Sequence, residues 1–155
     1  MNPKKILIVD DDAGTRDALS RLVNDAGYDF LTAADGSQAV SIARREKLDL
    51  ILLDLIFPPD VANGGGVCWD GFLIIDWLRR IEQAVDIPIV VVTAGDAQEY
   101  QNRAFAKGAA AFFQKPLDPD QLLETVRKII GAVEEEKGDT VHVKLAGGSA
   151  VKILQ

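Results

Sequence analysis

Apolar residues recur along the chain in short runs, and segments of helical period separate one run from the next. Five runs have the composition of strands, at residues 5–9, 28–33, 48–53, 87–92 and 110–113. The runs at 50–53 and 89–92 are continuously apolar, which is typical of parallel strands covered by helices on both faces. This alternation predicts an α/β fold with a doubly wound, five-stranded parallel sheet.

The predicted helices differ in the strength of their apolar stripes. The first helix carries a clear stripe and is closed by Gly27, and the last carries another and is opened by Asp118 as N-cap and Pro119 as first residue. The stripe residues are Leu19, Leu22, Val23 and Ala26 in the first helix and Leu122, Val126, Ile129, Ile130 and Val133 in the last. The segment between Asp96 and Lys107 has only a weak stripe, which predicts a loosely packed fourth helix.

Length and composition indicate one compact domain. The chain has 155 residues, of which 48% are hydrophobic, and we assign residues 3–137 to the domain and 138–155 to a C-terminal tail. A net charge of −7, from 17 basic and 24 acidic residues, argues against direct binding to nucleic acid. Cys68 is the one cysteine, and we see neither a membrane-spanning run nor a signal-peptide pattern, so we expect a cytoplasmic protein without membrane contact.

Chemically active side chains follow the predicted strands, at the points where the strands end. Asp10 and Asp11 end the first strand, Asp54 ends the third and Thr93 the fourth, and Lys115, followed by Pro116, comes after the fifth. Because right-handed crossovers bring the carboxyl ends of parallel strands to one edge, we expect these side chains to meet there.

Carboxylates that crowd together repel one another and raise each other's pKa unless a cation neutralises them. An oxygen ligand set of this size favours Mg²⁺ or Mn²⁺ over Ca²⁺. Other interpretations remain open for each residue. The acids could cap helices, as we expect for Asp12, Thr93 could be an ordinary strand terminator, and Lys115 could be a solvated surface charge.

Four segments resemble the receiver domain of two-component response regulators over about residues 3–137. They are residues 6–11 (ILIVDD), residues 52–58 (LLDLIFP), residues 92–94 (VTA) and Lys115-Pro116. The resemblance implies a flavodoxin-like strand order 2-1-3-4-5. It also implies that Asp54 accepts a phosphoryl group from a phosphohistidine on a sensor histidine kinase or phosphotransfer protein. Mg²⁺ would then be held by Asp10, Asp11, Asp54 and the backbone carbonyl of Ile56.

The resemblance also implies roles around the acceptor. Thr93 would donate its hydroxyl to the phosphoryl group, Ala94 would leave the entrance open, and Lys115 would pair with Asp54 or the phosphoryl oxygens. Phe112 would switch between buried and exposed rotamers, and the Lys115-Pro116 bond would be cis.

We expect such a domain to be a switch rather than an enzyme, with at most slow self-dephosphorylation. Its fourth helix, fifth strand and fifth helix would form the face that binds a downstream protein, and the chain could also pair as a homodimer.

Two other functions remain open from the sequence. One is a phosphorylation-independent interaction module that retains the receiver fold. The other is a haloacid-dehalogenase-like phosphatase, because Asp10-Asp11-Asp12 followed by Thr15 faintly resembles its Asp-x-Asp motif. The phosphatase hypothesis leaves Asp54 without a role.

The sequence departs from the receiver pattern in two segments. In receiver domains an Asp-Gly pair usually follows the acceptor closely, but in this sequence the pair comes only at Asp70-Gly71. Residues 59–69 therefore contain an insertion, either a mobile flap or a neutral surface loop. In the tail, residues 140–145 and 150–154 alternate around a Gly-Gly pair and predict a β-hairpin, with the start of a truncated segment as the alternative. We interpret His142 there as structural rather than as a phosphodonor.

Overall fold

The computed structural model describes residues 3–56 and 70–131 of the chain. Strands and helices alternate along these residues. The strands are β1 (Lys5–Val9), β2 (Asp29–Ala33), β3 (Leu50–Leu53), β4 (Ile89–Thr93) and β5 (Ala111–Gln114). The helices are α1 (Ala13–Asp25), α2 (Gly36–Arg45), α3 (Gly71–Leu78), α4 (Ala97–Ala106) and α5 (Pro119–Ile130).

The five strands form one parallel sheet in the order β2-β1-β3-β4-β5. This arrangement confirms the predicted doubly wound fold and its strand order. The predicted tail hairpin and the insertion at 59–69 lie outside the described residues, as does Val133 of the predicted last helix.

Helices cover both faces of the sheet, so its central strands are buried throughout. On one face α1 and α5 contribute Leu19, Val23, Leu122 and Val126 to a cluster with the even-numbered residues Ile6 and Ile8 of β1. On the other face α2 and α3 pack against Leu7 and Val9. This double burial explains why β3 and β4 are continuously apolar in sequence.

The strands differ from the predicted runs by one or two residues at their ends. Tyr28, Leu48 and Ile87 are buried but precede the strands to which we assigned them. These three residues are apolar because they are buried in the core, although they lie outside the strands. Thr93 is the last residue of β4 and pairs with Gln114, so it ends the fourth strand as predicted.

Every described helix begins after an aspartate whose carboxylate accepts a hydrogen bond from a backbone N–H of the first turn. These N-caps are Asp12, Asp35, Asp70, Asp96 and Asp118. Asp12 and Asp118 confirm the sequence prediction, including Pro119 at the start of α5. The left-handed Gly27, with φ of 96°, follows α1 as expected.

The fourth helix is held differently from the others. Only Ala104 of α4 is buried, in agreement with the weak apolar stripe of its sequence. The helix and its C-cap residue Lys107 instead contact α3: Lys107 Nζ lies 2.8 Å from Asp76 Oδ1, and the Arg103 guanidinium lies 4.0 Å from the centre of the Phe72 ring. Among the described residues, no helix has the length and apolar character needed to cross a lipid bilayer.

Candidate phosphoryl and metal site at the carboxyl edge of the sheet

Three carboxylates meet where β1 and β3 end. Asp10 follows β1 and Asp54 follows β3, and their side chains are buried, with 2% and 6% of each residue exposed. Asp11 is exposed beside them. One oxygen from each of the three lies within 4.8 Å of the other two. The structure therefore brings together the three acids that the sequence placed at strand ends.

Lys115 supplies the positive charge inside this group. Its backbone N–H donates to the Thr93 carbonyl, 2.8 Å away, so the β4–β5 ladder continues just past β5 and directs the side chain inward. Lys115 Nζ lies 2.7 Å from Asp10 Oδ2 and 3.4 Å from Asp54 Oδ2. The Lys115-Pro116 peptide bond is cis. The ammonium thus bridges both buried acids and lies closer to Asp10.

Burial and charge shift the titration of this bridge. Burial raises the pKa of the Asp10 carboxyl above its usual value, and hydrogen bonds from Lys115 and the Asp12 N–H only partly offset this effect. Burial alone would lower the pKa of Lys115, but its hydrogen bonds and the charges of Asp10 and Asp54 outweigh burial and raise it. The pKa values of both groups are therefore raised, that of Asp10 chiefly by burial and that of Lys115 by its two acidic partners.

Thr93 and Ala94 form the wall of the site at the end of β4. The Thr93 hydroxyl is fully buried and accepts a hydrogen bond from the Gly95 N–H at 3.2 Å, while Ala94 is exposed. Phe112 lies on the neighbouring strand β5 and is partly buried against the hydrophobic cluster to which α2 and α3 contribute. It is therefore neither a fully buried core residue nor an exposed one.

The chain after β3 packs tightly around Asp54. The Ile56 N–H donates to Asp54 Oδ1 at 3.1 Å, and the Gly71 N–H donates to the Leu55 carbonyl at 2.9 Å. A Cβ at Gly71 would lie 2.4 Å from Leu55 Cα and 2.6 Å from the Asp54 carbonyl oxygen. Only glycine fits this position, a requirement that the sequence alone did not reveal.

The acidic residues of the loop between β1 and α1 have two roles: Asp10 and Asp11 belong to the carboxylate cluster, and Asp12 caps the helix. Asp12 Oδ2 accepts hydrogen bonds from the Thr15 N–H and hydroxyl, both at 2.8 Å, so this carboxylate caps α1. Arg16 Nη1 donates to the Asp10 backbone carbonyl at 2.8 Å, a contact that we did not predict. A cation in the first turn of a helix, where the helix dipole disfavours it, is the sequence signal that points to such a residue.

The donor set fits a hard divalent cation. Asp10, Asp11 and Asp54 provide three carboxylates against the single ammonium of Lys115, which leaves net negative charge in a partly buried pocket. Carboxylate oxygens in this arrangement suit Mg²⁺ or Mn²⁺.

The sequence over residues 6–127 matches the family model described as the response regulator receiver domain. The chain belongs to this family. Receiver domains are generally phosphoacceptor switches of two-component signal transduction rather than enzymes, and they bind Mg²⁺ in an acidic pocket. This assignment rules out the haloacid-dehalogenase-like alternative.

Individual proteins agree with the family assignment. Sporulation initiation phosphotransferase F of Bacillus subtilis is 33% identical over 130 residues, which are 84% of this chain and 96% of that protein. Against three longer transcriptional regulators, the chain spans about half of the relative's length, from 48% to 51%.

Two solved structures illustrate the similarity of the receiver fold. The chemotaxis protein CheY4 of Vibrio cholerae superposes with a TM-score of 0.72 at 31% identity, covering 82% of this chain and 98% of that one. The receiver domain of a Pseudomonas aeruginosa sensor histidine kinase, solved with a magnesium ion in its active site cleft, gives a TM-score of 0.71 at 26% identity. The match covers 84% of this chain and 99% of that one.

Proposed function

We propose that Asp54 is the phosphoacceptor of this receiver domain, and that its donor is a phosphohistidine on a sensor histidine kinase or phosphotransfer protein. The observation that carries the proposal is the placement of its carboxylate. Asp54 Oδ1 accepts from the Ile56 N–H, whereas the contact that the described residues make with Oδ2 is a long one, 3.4 Å from Lys115 Nζ. Asp10, by comparison, is engaged at both oxygens, by Lys115 at 2.7 Å and by the Asp12 N–H at 2.9 Å.

The transfer exchanges one bond to phosphorus for another. A carboxylate oxygen of Asp54 forms the new P–O bond as the P–N bond to the donor imidazole breaks, and the imidazole keeps the electron pair and takes up a proton. Such a reaction needs mainly in-line positioning and neutralisation of the equatorial oxygens. Lys115 is placed to neutralise one of them, since it already spans Asp10 and Asp54.

We assign the metal site to Asp10, Asp11, Asp54 and the backbone carbonyl of Ile56, with Mg²⁺ as the preferred ion and Mn²⁺ as a substitute. When bound, the ion supplies positive charge to the phosphoryl oxygens. Support comes from the close carboxylate oxygens and from the magnesium ion in the P. aeruginosa receiver domain.

The remaining site residues would convert phosphorylation into a change of shape. Thr93 would turn its hydroxyl from the Gly95 N–H to the phosphoryl group, Ala94 would leave room for that group, and Phe112 would fill the space that Thr93 vacates. The face formed by α4, β5 and α5 would then bind a downstream protein or a second copy of the chain. We also propose slow self-dephosphorylation, and a cytoplasmic location that fits the single cysteine in the sequence.

The test is to incubate the protein with acetyl phosphate and Mg²⁺ and to locate the acyl phosphate by mass spectrometry after trapping with borohydride. We expect one adduct, on Asp54, that is absent from Asp54→Asn and from samples with excess chelator. Asp35→Asn, which alters a helix cap at the same sheet edge, is the matched control and should label normally. No adduct, under conditions where the B. subtilis phosphotransferase labels, would contradict the proposal and favour a phosphorylation-independent interaction module.

A further inference from the structure

Arg16 reaches back from the first turn of α1 across the acidic loop that follows β1. Its Nη1 atom donates to the backbone carbonyl of Asp10 at 2.8 Å, and its own backbone N–H donates to the Asp12 carbonyl at 3.0 Å. The Ser20 hydroxyl donates to the Arg16 carbonyl at 2.6 Å, which ties this residue to the next turn of α1. The side chain is therefore anchored on the helix and ends at the loop.

The Asp10 carbonyl, which accepts this hydrogen bond, lies just beyond the last backbone hydrogen bonds between β1 and its neighbouring strands. The ladder bonds of β1 end with the Asp10 N–H on the Ala33 carbonyl and the Asp54 N–H on the Val9 carbonyl. Among the hydrogen bonds recorded for the described residues, the Asp10 carbonyl accepts only from Arg16. Because Asp10 is buried, leaving its carbonyl without a hydrogen bond would cost free energy. The hydrogen bond therefore favours this position of the Arg16 guanidinium.

The same carbonyl belongs to the peptide group that joins Asp10 to Asp11. A rotation of this peptide would swing the Asp11 Cα and side chain relative to the Asp10 carboxylate, which Lys115 and the Asp12 N–H hold in place. Asp11 is exposed, and no side chain or backbone N–H within residues 3–56 and 70–131 donates a hydrogen bond to its carboxylate. Its direction therefore depends on the backbone.

We propose that Arg16 is a positioning residue for the metal site, which fixes the Asp10–Asp11 peptide so that both carboxylates point at one ion. The inference rests on the proposed function and extends it to a residue that would not itself touch the ion. A planar guanidinium suits this task because it stays charged and holds its donors in a rigid fork. Partners that orient ligands in this way typically contribute 10- to 100-fold to metal affinity.

A competing effect has the opposite sign. A fixed positive charge beside the site repels a divalent cation, so if charge dominated, removing Arg16 would tighten binding. The direction of the change in affinity thus separates orientation from simple electrostatics.

The experiment is a Mg²⁺ titration of the full chain followed by amide chemical shifts around Asp11, for the wild type, Arg16→Ala, Arg16→Lys and Arg21→Ala. We expect about a 10-fold weaker Kd for Arg16→Ala and about 3-fold for Arg16→Lys, which keeps the charge but loses the fork. Arg21 lies on the same helix with 77% of its side chain exposed, so Arg21→Ala should bind as the wild type does. An unchanged or tighter Kd for Arg16→Ala, or an equal loss for Arg21→Ala, would overturn the inference.

Labelling with acetyl phosphate supplies the second readout. For Arg16→Ala the Mg²⁺ concentration that gives half the maximal rate should rise about 10-fold, while the rate at saturating Mg²⁺ stays that of the wild type. A rate that remains low at saturating Mg²⁺ would indicate general damage to the fold and would refute the positioning role. If the wild type shows no Mg²⁺-dependent shifts, the proposed metal site is wrong. If the wild type binds Mg²⁺ and the Arg16 variants bind it equally well, the metal site stands and only the role of Arg16 is wrong.

Discussion

Helices α4 and α5 flank the same edge strand, β5, but are held in place by different forces. In α5, Leu122 and Val126 are fully buried in the core, and Asp118 and Pro119 fix the first turn. In α4 only Ala104 is buried, and the helix is attached to α3 through an ion pair and aromatic contacts.

The difference determines which helix can shift. Moving α5 would expose apolar surface at a cost of about 25 cal/mol per Å². Moving α4 would exchange a partly exposed ion pair and two ring contacts, each contributing about 1 kcal/mol, for contacts with water. Within the face that we propose for protein binding, we therefore expect α4 to be the mobile part and α5 the fixed part.

The largest effect should come from removing a buried side chain of α5. Leu122→Ala is expected to lower the free energy of unfolding by about 3 kcal/mol, since it deletes fully buried methyl groups and leaves a cavity. The matched change in α4 is Phe105→Ala, at a residue that is 42% exposed, and it should cost about 1 kcal/mol because less apolar surface is lost. Urea denaturation of both variants measures the contrast, and equal losses would show that α4 is packed as firmly as α5.

A second prediction concerns the response to phosphorylation. Adding beryllofluoride, an acyl-phosphate mimic, with Mg²⁺ should change amide hydrogen exchange in α4 by about 10-fold, and in α5 by clearly less. Hydrogen exchange read out by mass spectrometry gives both values in one experiment. Asp54→Asn should show no change; unchanged exchange of α4 in the wild type would contradict its role as the moving part.

The smallest effect concerns the end of α5, where the Tyr28 hydroxyl donates to the Gly131 carbonyl at 2.8 Å. Tyr28→Phe should lower the free energy of unfolding by about 1 kcal/mol at neutral pH. Burial raises the pKa of Tyr28 above its usual 10.0, so the fold favours the neutral phenol.

The contribution of the neutral Tyr28 phenol to the free energy of unfolding is complete below about pH 10 and is lost as the pH rises through the raised pKa. Urea denaturation near neutral pH and at alkaline pH should therefore show a smaller loss of stability for Tyr28→Phe than for the wild type. Parallel losses would mean that the phenol does not titrate with unfolding.

The sequence predicted the sheet well because burial on both faces leaves a continuous apolar signal, as in Leu50–Leu53 and Ile89–Thr93. It placed the candidate site for a related reason. In a parallel sheet the residues after each strand must share one edge, so Asp10, Asp54 and Lys115 could be brought together without knowing any distance.

Other features could not be predicted, since they depend on contacts between distant residues. The partner of Lys115 is decided by fractions of an ångström, and its ammonium lies closer to Asp10 than to Asp54. The need for glycine at position 71 arises from its approach to Leu55, and the role of Arg16 from a carbonyl that the ladder leaves without a strand partner.

The hydrogen bond between the Gly71 N–H and the Leu55 carbonyl has a consequence for protein engineering. It joins the two ends of the β3–α3 connection at 2.9 Å, however many residues lie between them. The entropy of closing a loop grows only slowly with its length, by about 0.6 kcal/mol per doubling. A peptide tag or reporter domain spliced between Ile56 and Asp70 would thus lie next to Asp54 while leaving the backbone around its carboxylate in register.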